Sequence, residues 1–130
     1  MPADRRLVAE ALGTGLLVAT VVGSGIMAER LTNIPALALL ANAAATAAAL
    51  VVLVTILRPI SGGHFNPAVT IAAALTRDIT PKVAAGYIVA QVIGGLVGTA
   101  LAHLMFDLPV VQLSEHARTG PGQWLAEITT

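Results

Sequence analysis

The chain has no cysteine, few charged residues and few aromatic residues, and each shortage removes a class of explanation. Without cysteine there is no disulfide framework, thiolate metal site or thiol nucleophile. Charged residues make up 11% of the 130 residues and the formal net charge is zero, so no basic surface favours nucleic acid as a partner. The motifs His-Glu-x-x-His and Gly-x-Ser-x-Gly of two hydrolase classes are also missing. The sequence therefore gives no support for an enzyme, a metal site or a cofactor.

Apolar residues dominate what remains. They make up 56% of the chain, and the mean hydropathy is +0.84, which lies outside the range of soluble globular proteins. Three apolar windows run from Leu7 to Met27, from Ile34 to Leu57 and from Val83 to Phe106. At about 1.5 Å per helical residue, each can cross a hydrocarbon core of roughly 30 Å. We therefore predict an all-α, multi-pass membrane protein with spanning helices at about 7–28, 34–57 and 82–106.

The positively charged residues predict how these helices are oriented. The first window exceeds the roughly 7–15 apolar residues of a secretory signal, so we expect it to be a retained helix. Cytoplasmic loops of membrane proteins carry an excess of lysine and arginine. One side of the predicted bundle has Arg5, Arg6, Arg58, Arg77 and Lys82, and the other has Arg30 and Arg118. We therefore expect a cytoplasmic N-terminus and a location in the plasma (inner) membrane.

A polar, glycine-rich break separates the second and third windows. It spans Ser61 to Thr70 and reads Ser-Gly-Gly-His-Phe-Asn-Pro-Ala-Val-Thr. Pro59 disfavours helical geometry at the preceding residue, so the second helix should end near Leu57. Pro67 suits the first position of a new helix, with Asn66 as its N-cap. A helix over 67–76 would be about 15 Å long, half the hydrocarbon thickness, so it can re-enter the membrane but cannot span it.

Irregular backbone at membrane depth implies a particular setting for this break. In hydrocarbon each unpaired backbone N–H or C=O group costs several kcal/mol, so such a segment persists only when it is buried in protein or lines a watery cavity. The N-terminal end of a half-helix would also place a positive dipole end near the midplane, where cations are disfavoured. These observations predict that the break is the functional element and lines a pore.

The segment from Ser61 to Thr70 resembles the first signature loop of the aquaporin and glycerol-facilitator family, the major intrinsic proteins. The stretch from Ala9 to Thr14, Ala-Glu-Ala-Leu-Gly-Thr, resembles the family's first helix. The stretch from Tyr87 to Gln91, followed by Gly94 and Gly98, resembles its third helix. The resemblance therefore covers nearly the whole chain. It implies a passive channel for water or small neutral solutes such as glycerol, urea or undissociated metalloid acids.

The resemblance also implies that this chain is an N-terminal half. The family has two inverted repeats, each with three spanning helices and one half-helix with an Asn-Pro-Ala cap. Residues 1–121 match an aquaporin-like first repeat, a half-bundle with one re-entrant half-helix. Residues 122–130 would be the truncated start of the second repeat and of a fourth spanning helix, because Ala126-Glu127 repeats Ala9-Glu10. The second Asn-Pro-Ala loop and the selectivity arginine would lie in the absent half.

Two functional hypotheses follow from an N-terminal half. In the first, a second repeat half completes the pore, and the complete parent is a homotetramer in the lipid bilayer, as the family implies. In the second, the chain is a non-conducting membrane fragment or interaction module.

The resemblance assigns roles to individual residues. Glu10 and Gln91 would support the loop from the first and third spanning helices, although a carboxylate near a helix end could instead reach the membrane interface. His64 is expected to fix the loop by hydrogen bonding, with pH sensing as the alternative. Asn66 could serve only as a helix cap, or could also donate its amide to a passing solute. The expected pore-lining residues are Thr46, Gly62, Gly63, His64, Phe65, Asn66, Pro67 and Ala68.

Thr46 aligns with a position in the second helix that is a bulky aromatic residue in many family members. A threonine there would widen the constriction and offer a hydroxyl group. This favours small neutral solutes over strict water selectivity.

Overall fold

The computed structural model describes residues 1–111 and Pro121, and its architecture is four helices without a strand in that part of the chain. The helices are α1 (Ala3–Leu31), α2 (Pro35–Ser61), α3 (Pro67–Leu75) and α4 (Pro81–Met105). The helices α1, α2 and α4 are long and apolar enough to cross a membrane. The short α3 is the half-helix of an aquaporin-like half-bundle. The predicted fourth spanning helix at 122–130 lies outside the described residues.

Proline defines where three of the helices begin. Pro35, Pro67 and Pro81 each occupy the first turn of a helix, where the missing N–H group costs nothing because it would have no intrahelical partner. Side chains cap two of these helices: Asn66 Oδ1 accepts from the Ala68 N–H group at the start of α3, and Thr80 Oγ1 accepts from the Val83 N–H group at the start of α4.

The prediction that the second helix ends near Leu57 was wrong. The helix α2 continues to Ser61 with Pro59 inside its last turn. Pro59 has no N–H group and so removes one helical hydrogen bond, but the helix continues past it. Gly62 then closes the helix in a left-handed conformation, with φ of 99°, and donates its N–H to the Arg58 carbonyl over 2.9 Å. The extra turn carries Ser61 to the level of the loop.

The helix α1 is also longer than the predicted 7–28. Its first turn contains Asp4 and its last turn contains Arg30, charges that complement the two ends of the helix dipole. Arg30 donates from Nη2 to the Phe106 carbonyl over 2.9 Å and stacks on the Phe106 ring. It thereby ties the end of α1 to the end of α4.

The helix α1 lies at the centre of the half-bundle. It packs against both α2 and α4, while α3 packs against α4. The closest approach is between α1 and α4, where a Cβ atom at Gly94 would overlap the Ala11 carbonyl oxygen and one at Gly98 would overlap the Gly15 carbonyl oxygen. In lipid, such direct backbone approach is a main source of helix association. The two glycines therefore set the spacing of the α1–α4 pair.

The crossing of α1 and α4 can be tested with two alanine substitutions one residue apart. Gly94→Ala places a methyl group against the Ala11 carbonyl and should destabilise the protein by about 1–3 kcal/mol. At Gly95, the nearest atom to an added methyl group would be Val18 Cγ2 at 3.8 Å, an ordinary contact. Gly95→Ala should therefore be neutral or stabilise by up to about 1 kcal/mol through helix propensity. Thermal unfolding in detergent, followed by circular dichroism, measures both; equal effects would contradict the close crossing.

Candidate functional site at the re-entrant loop

The backbone of the loop between α2 and α3 adopts left-handed conformations that residues other than glycine rarely adopt. Gly62 and Gly63 have φ of 99° and 68°, and Phe65, which is not glycine, has φ of 51°. Left-handed backbone at such a residue costs of order 1–3 kcal/mol and persists only where the surroundings enforce it. Here the Phe65 ring is 3% exposed and lies against Gly13, where any Cβ atom would overlap it. The ring completes a buried apolar cluster of Ala9, Leu53, Leu57 and Phe65.

Glu10 accepts hydrogen bonds from donors on both sides of the loop. Its side chain is 0% exposed. Oε1 accepts from Ser61 Oγ at 2.6 Å and from the His64 N–H group at 3.0 Å. Oε2 accepts from the Phe65 N–H group at 2.7 Å and from Gln91 Nε2 at 2.8 Å. A carboxylate is suited to this position because all its lone pairs accept, and hydrogen bonds to a charged acceptor are the stronger kind.

The network continues from Glu10 into α3 and fixes the His64 ring. Gln91 Nε2 donates to Glu10 and also to Thr70 Oγ1 at 2.9 Å, which uses both of its hydrogens. The Thr70 hydroxyl hydrogen is then free to point to His64 Nδ1, 3.1 Å away. In the other ring tautomer, His64 Nδ1 donates to Thr70 Oγ1 instead, and the contact is kept either way. The His64 ring also meets the Tyr87 ring edge-on, with centroids 5.4 Å apart.

A second set of contacts reaches the loop from the N-terminal turns of α1 and α4. Tyr87 is 1% exposed, accepts from Arg6 Nε at 2.8 Å and donates to the Ser61 carbonyl at 2.6 Å. Sequence reasoning used Arg6 only for membrane orientation and Ser61, Thr70 and Tyr87 only for the family resemblance, and it predicted none of these contacts. A usable signal was present for two of them. Arg6 lies four residues before Glu10 and Tyr87 lies four residues before Gln91, so each shares a helix face with a residue already assigned to the loop.

The N-cap of α3, Asn66, carries a polar side chain on the exposed side of the loop. Asn66 is exposed, and its Oδ1 accepts from the Ala68 N–H group at 2.8 Å. Within residues 1–111 its Nδ2 amide makes no hydrogen bond. Gly62 and Ala68 are also exposed, whereas the Phe65 side chain is buried, so only the Phe65 backbone could line a pore.

The structure brings together all the predicted site residues except Thr46. Gly63, His64 and Pro67 are half-buried in the loop, and Glu10 and Gln91 lie behind it. Thr46 is half-buried on α2, and its Oγ1 donates to the Asn42 carbonyl at 2.9 Å. Its hydroxyl hydrogen is therefore held within α2, and only the oxygen lone pairs remain to accept.

Replacing the loop's main acceptor should loosen the loop. In Glu10→Gln one oxygen becomes an NH₂ group, which in either orientation faces two of the four donors. A buried donor left without a partner costs about 1–3 kcal/mol. We expect a lower free energy of unfolding and faster hydrogen exchange at His64 and Phe65. The exposed Glu29→Gln in the same helix is the matched control, and equal exchange in the two variants would contradict the role of Glu10.

The comparisons with known proteins agree with this geometry. The sequence model of the family described as Major intrinsic protein matches residues 1–125. The chain is 65% identical over 123 residues to the Aquaglyceroporin AqpS of Rhizobium meliloti, an alignment that covers 95% of this chain and 53% of the relative. It is 39% identical over 129 residues to the Probable aquaporin TIP-type of Medicago truncatula, covering 94% of this chain and 51% of that protein.

A third relative extends the same pattern. The chain is 38% identical over 109 residues to Nodulin-26 of Glycine max, covering 82% of this chain and 38% of the relative. The chain spans about half the length of the curated relatives that it matches most extensively. The family match, the half-bundle of three spanning helices and the loop with its Asn-Pro-Ala cap lead to one conclusion: this chain belongs to the major intrinsic protein family.

Proposed function

We propose that the chain supplies one half of a passive membrane channel for water and small neutral solutes such as glycerol, urea or undissociated metalloid acids. The observation that carries the proposal is the re-entrant loop itself. Two hydrogen bonds, from the His64 and Phe65 N–H groups to buried Glu10, hold its backbone, while Asn66 at the tip of α3 stays exposed. A rigid loop with an available donor is what a selective pore requires.

The chemistry of the loop supports neutral solutes over ions. Asn66 Nδ2 can donate to a water or polyol oxygen, and the exposed backbone of Gly62 and its neighbours can accept. The N-terminal end of α3 carries the positive end of a helix dipole, which disfavours cations, including protons. Among the relatives, one is named an aquaglyceroporin and another, 40% identical over 96 residues, is named a glycerol uptake facilitator-like protein of Lactiplantibacillus plantarum. The proposal involves no enzymatic reaction.

The opposing half of the pore is proposed to come from a second repeat or a second copy. The tip of α3 lies at the edge of the half-bundle, so a pore needs another surface facing Asn66. We further propose a cytoplasmic N-terminus in the plasma (inner) membrane, on the distribution of arginine and lysine, and a homotetramer for the complete parent.

A chimera tests the proposed function. Residues 1–111 replace the matching part of the Rhizobium aquaglyceroporin, so that the relative supplies the second half. We expect glycerol-driven swelling of proteoliposomes well above that of empty vesicles, and a loss of about tenfold or more on Asn66→Trp, which fills the open side of the loop. Asn33→Trp, at an exposed position between α1 and α2, is the control.

Swelling of proteoliposomes with the 130-residue chain alone, compared with the chimera, separates a channel half from a non-conducting fragment or interaction module. Swelling with the chain alone would show that two copies suffice. A chimera that inserts and folds but leaves permeability at the level of empty vesicles would contradict the channel and favour a non-conducting module.

The size of Thr46 gives a separate prediction about selectivity. In the conducting chimera, Thr46→Phe should reduce glycerol flux several-fold more than water flux, because a larger side chain narrows a constriction for the larger solute first. Stopped-flow light scattering under glycerol and sucrose gradients measures the two fluxes. Equal reductions would show that Thr46 does not contribute to solute selection.

A further inference from the structure

A groove runs along the contact between α1 and α4. It consists of two linked recesses of about 310 and 560 Å³, each within the size range of small-molecule sites. Leu7 and Gly86 line both recesses and form the waist between them. Tyr87 lines the smaller recess and also donates to the Ser61 carbonyl, so this end of the groove adjoins the loop contacts. We call this feature the α1–α4 groove.

One end of the α1–α4 groove is cationic. Arg6 and Lys82 line it. Ala3, the first residue of α1, lines it too, and Lys82 is the second residue of α4, so the positive dipole ends of two helices meet there. Of the acidic residues near in sequence, Asp4 lines a different recess between α1 and α2, Asp78 does not line this end, and Glu10 directs its oxygens to the loop and Gln91. The charges at this end therefore favour an anion.

The Arg6 side chain is held ready for such a ligand. Its Nε donates to Tyr87 and its guanidinium stacks on the Tyr87 ring at 5.3 Å. Within residues 1–111 these are its polar and ring contacts, so the two Nη groups remain to donate. A planar guanidinium fixed at one edge is suited to a phosphate group.

The other end of the groove is apolar and follows the membrane-spanning parts of both helices. Val8, Val89 and Ile93 line it and are 64%, 60% and 55% exposed. The remaining lining residues there are also apolar. A free phosphate would make no favourable contact with this apolar part of the groove. An apolar partner helix would leave the two cations at the other end without a negative partner. A cationic end joined to an apolar groove matches a phospholipid whose phosphate lies at the cationic end and one of whose acyl chains lies along the apolar part.

We propose that the α1–α4 groove binds an anionic phospholipid, with its phosphate between Arg6 and Lys82 and an acyl chain along Val8, Val89 and Ile93. Basic recesses between spanning helices are a recognised setting for acidic headgroups, and each lysine or arginine near the surface contributes about fivefold in affinity. The proposal concerns lipid binding between α1 and α4 and does not depend on the channel assignment.

Binding can be measured by native mass spectrometry of the 130-residue chain in detergent, with dioleoyl phosphatidylglycerol and dioleoyl phosphatidylcholine as probes. We expect the anionic lipid to bind at least fivefold more tightly. Lys82→Gln should lower that affinity about fivefold. The control is Arg77→Gln, which removes a cation from the turn before α4 but not from the groove. An equal effect of the two variants, or equal binding of the two lipids, would overturn the proposal.

A second variant tests the acyl-chain part without changing charge. A Cβ atom at Gly86 would lie 3.2 Å from the flexible end of Leu7, so Gly86→Leu should fold and fill the waist. We expect it to weaken phosphatidylglycerol binding several-fold, with helical content unchanged by circular dichroism. Undiminished binding in this variant, or full displacement of the lipid by millimolar inorganic phosphate, would show that the acyl chain does not bind in the groove. Either result would overturn the proposal.

Discussion

The hydrogen bonds to Glu10 are the constraint on which the rest of the half-bundle depends. A loop that leaves helical geometry inside a membrane cannot pair its own N–H groups, and water is scarce there. Glu10 supplies the missing acceptors from another helix, since it binds the N–H groups of both His64 and Phe65. For this to work, α1 must pass directly behind the loop, which explains its central position between α2 and α4.

The glycines of the α1–α4 crossing serve the same requirement. Because Gly94 and Gly98 carry no side chains, α4 approaches the α1 backbone closely enough for Gln91 to reach Glu10 at 2.8 Å. The same approach brings Tyr87 to the Ser61 carbonyl and the Arg6 side chain. Both helices thus place buried polar residues, Glu10 and Gln91, towards the loop, while Arg6 and Tyr87 join these loop contacts to one end of the α1–α4 groove. The close packing of the helices lets the buried polar side chains reach their hydrogen-bond partners, and these hydrogen bonds in turn hold the helices together.

Local signals in the sequence predicted the spanning helices and the start of α3. Hydropathy gave the three windows, and the Asn66-Pro67 pair gave a helix start that the structure reproduces, because both depend on neighbouring residues only. The end of α2 was missed since the local effect of Pro59 was outweighed by the cap at Gly62. The contacts of Arg6, Tyr87 and Ser61 were missed for a different reason: they join residues up to 81 positions apart, and helical periodicity shows which face a residue shares but not what packs against that face.

The separation between Glu10 and its partners also has a consequence for biosynthesis. Ser61, the first partner in the chain, follows Glu10 by 51 residues and Gln91 follows it by 81. At roughly 5–20 residues per second, Gln91 is made about 4–16 seconds after Glu10. During that interval a bare carboxylate inside the hydrocarbon would cost several kcal/mol, since α1 enters the bilayer before these partners of Glu10 exist. The full set of hydrogen bonds to Glu10 can therefore form only after α4 has been translated.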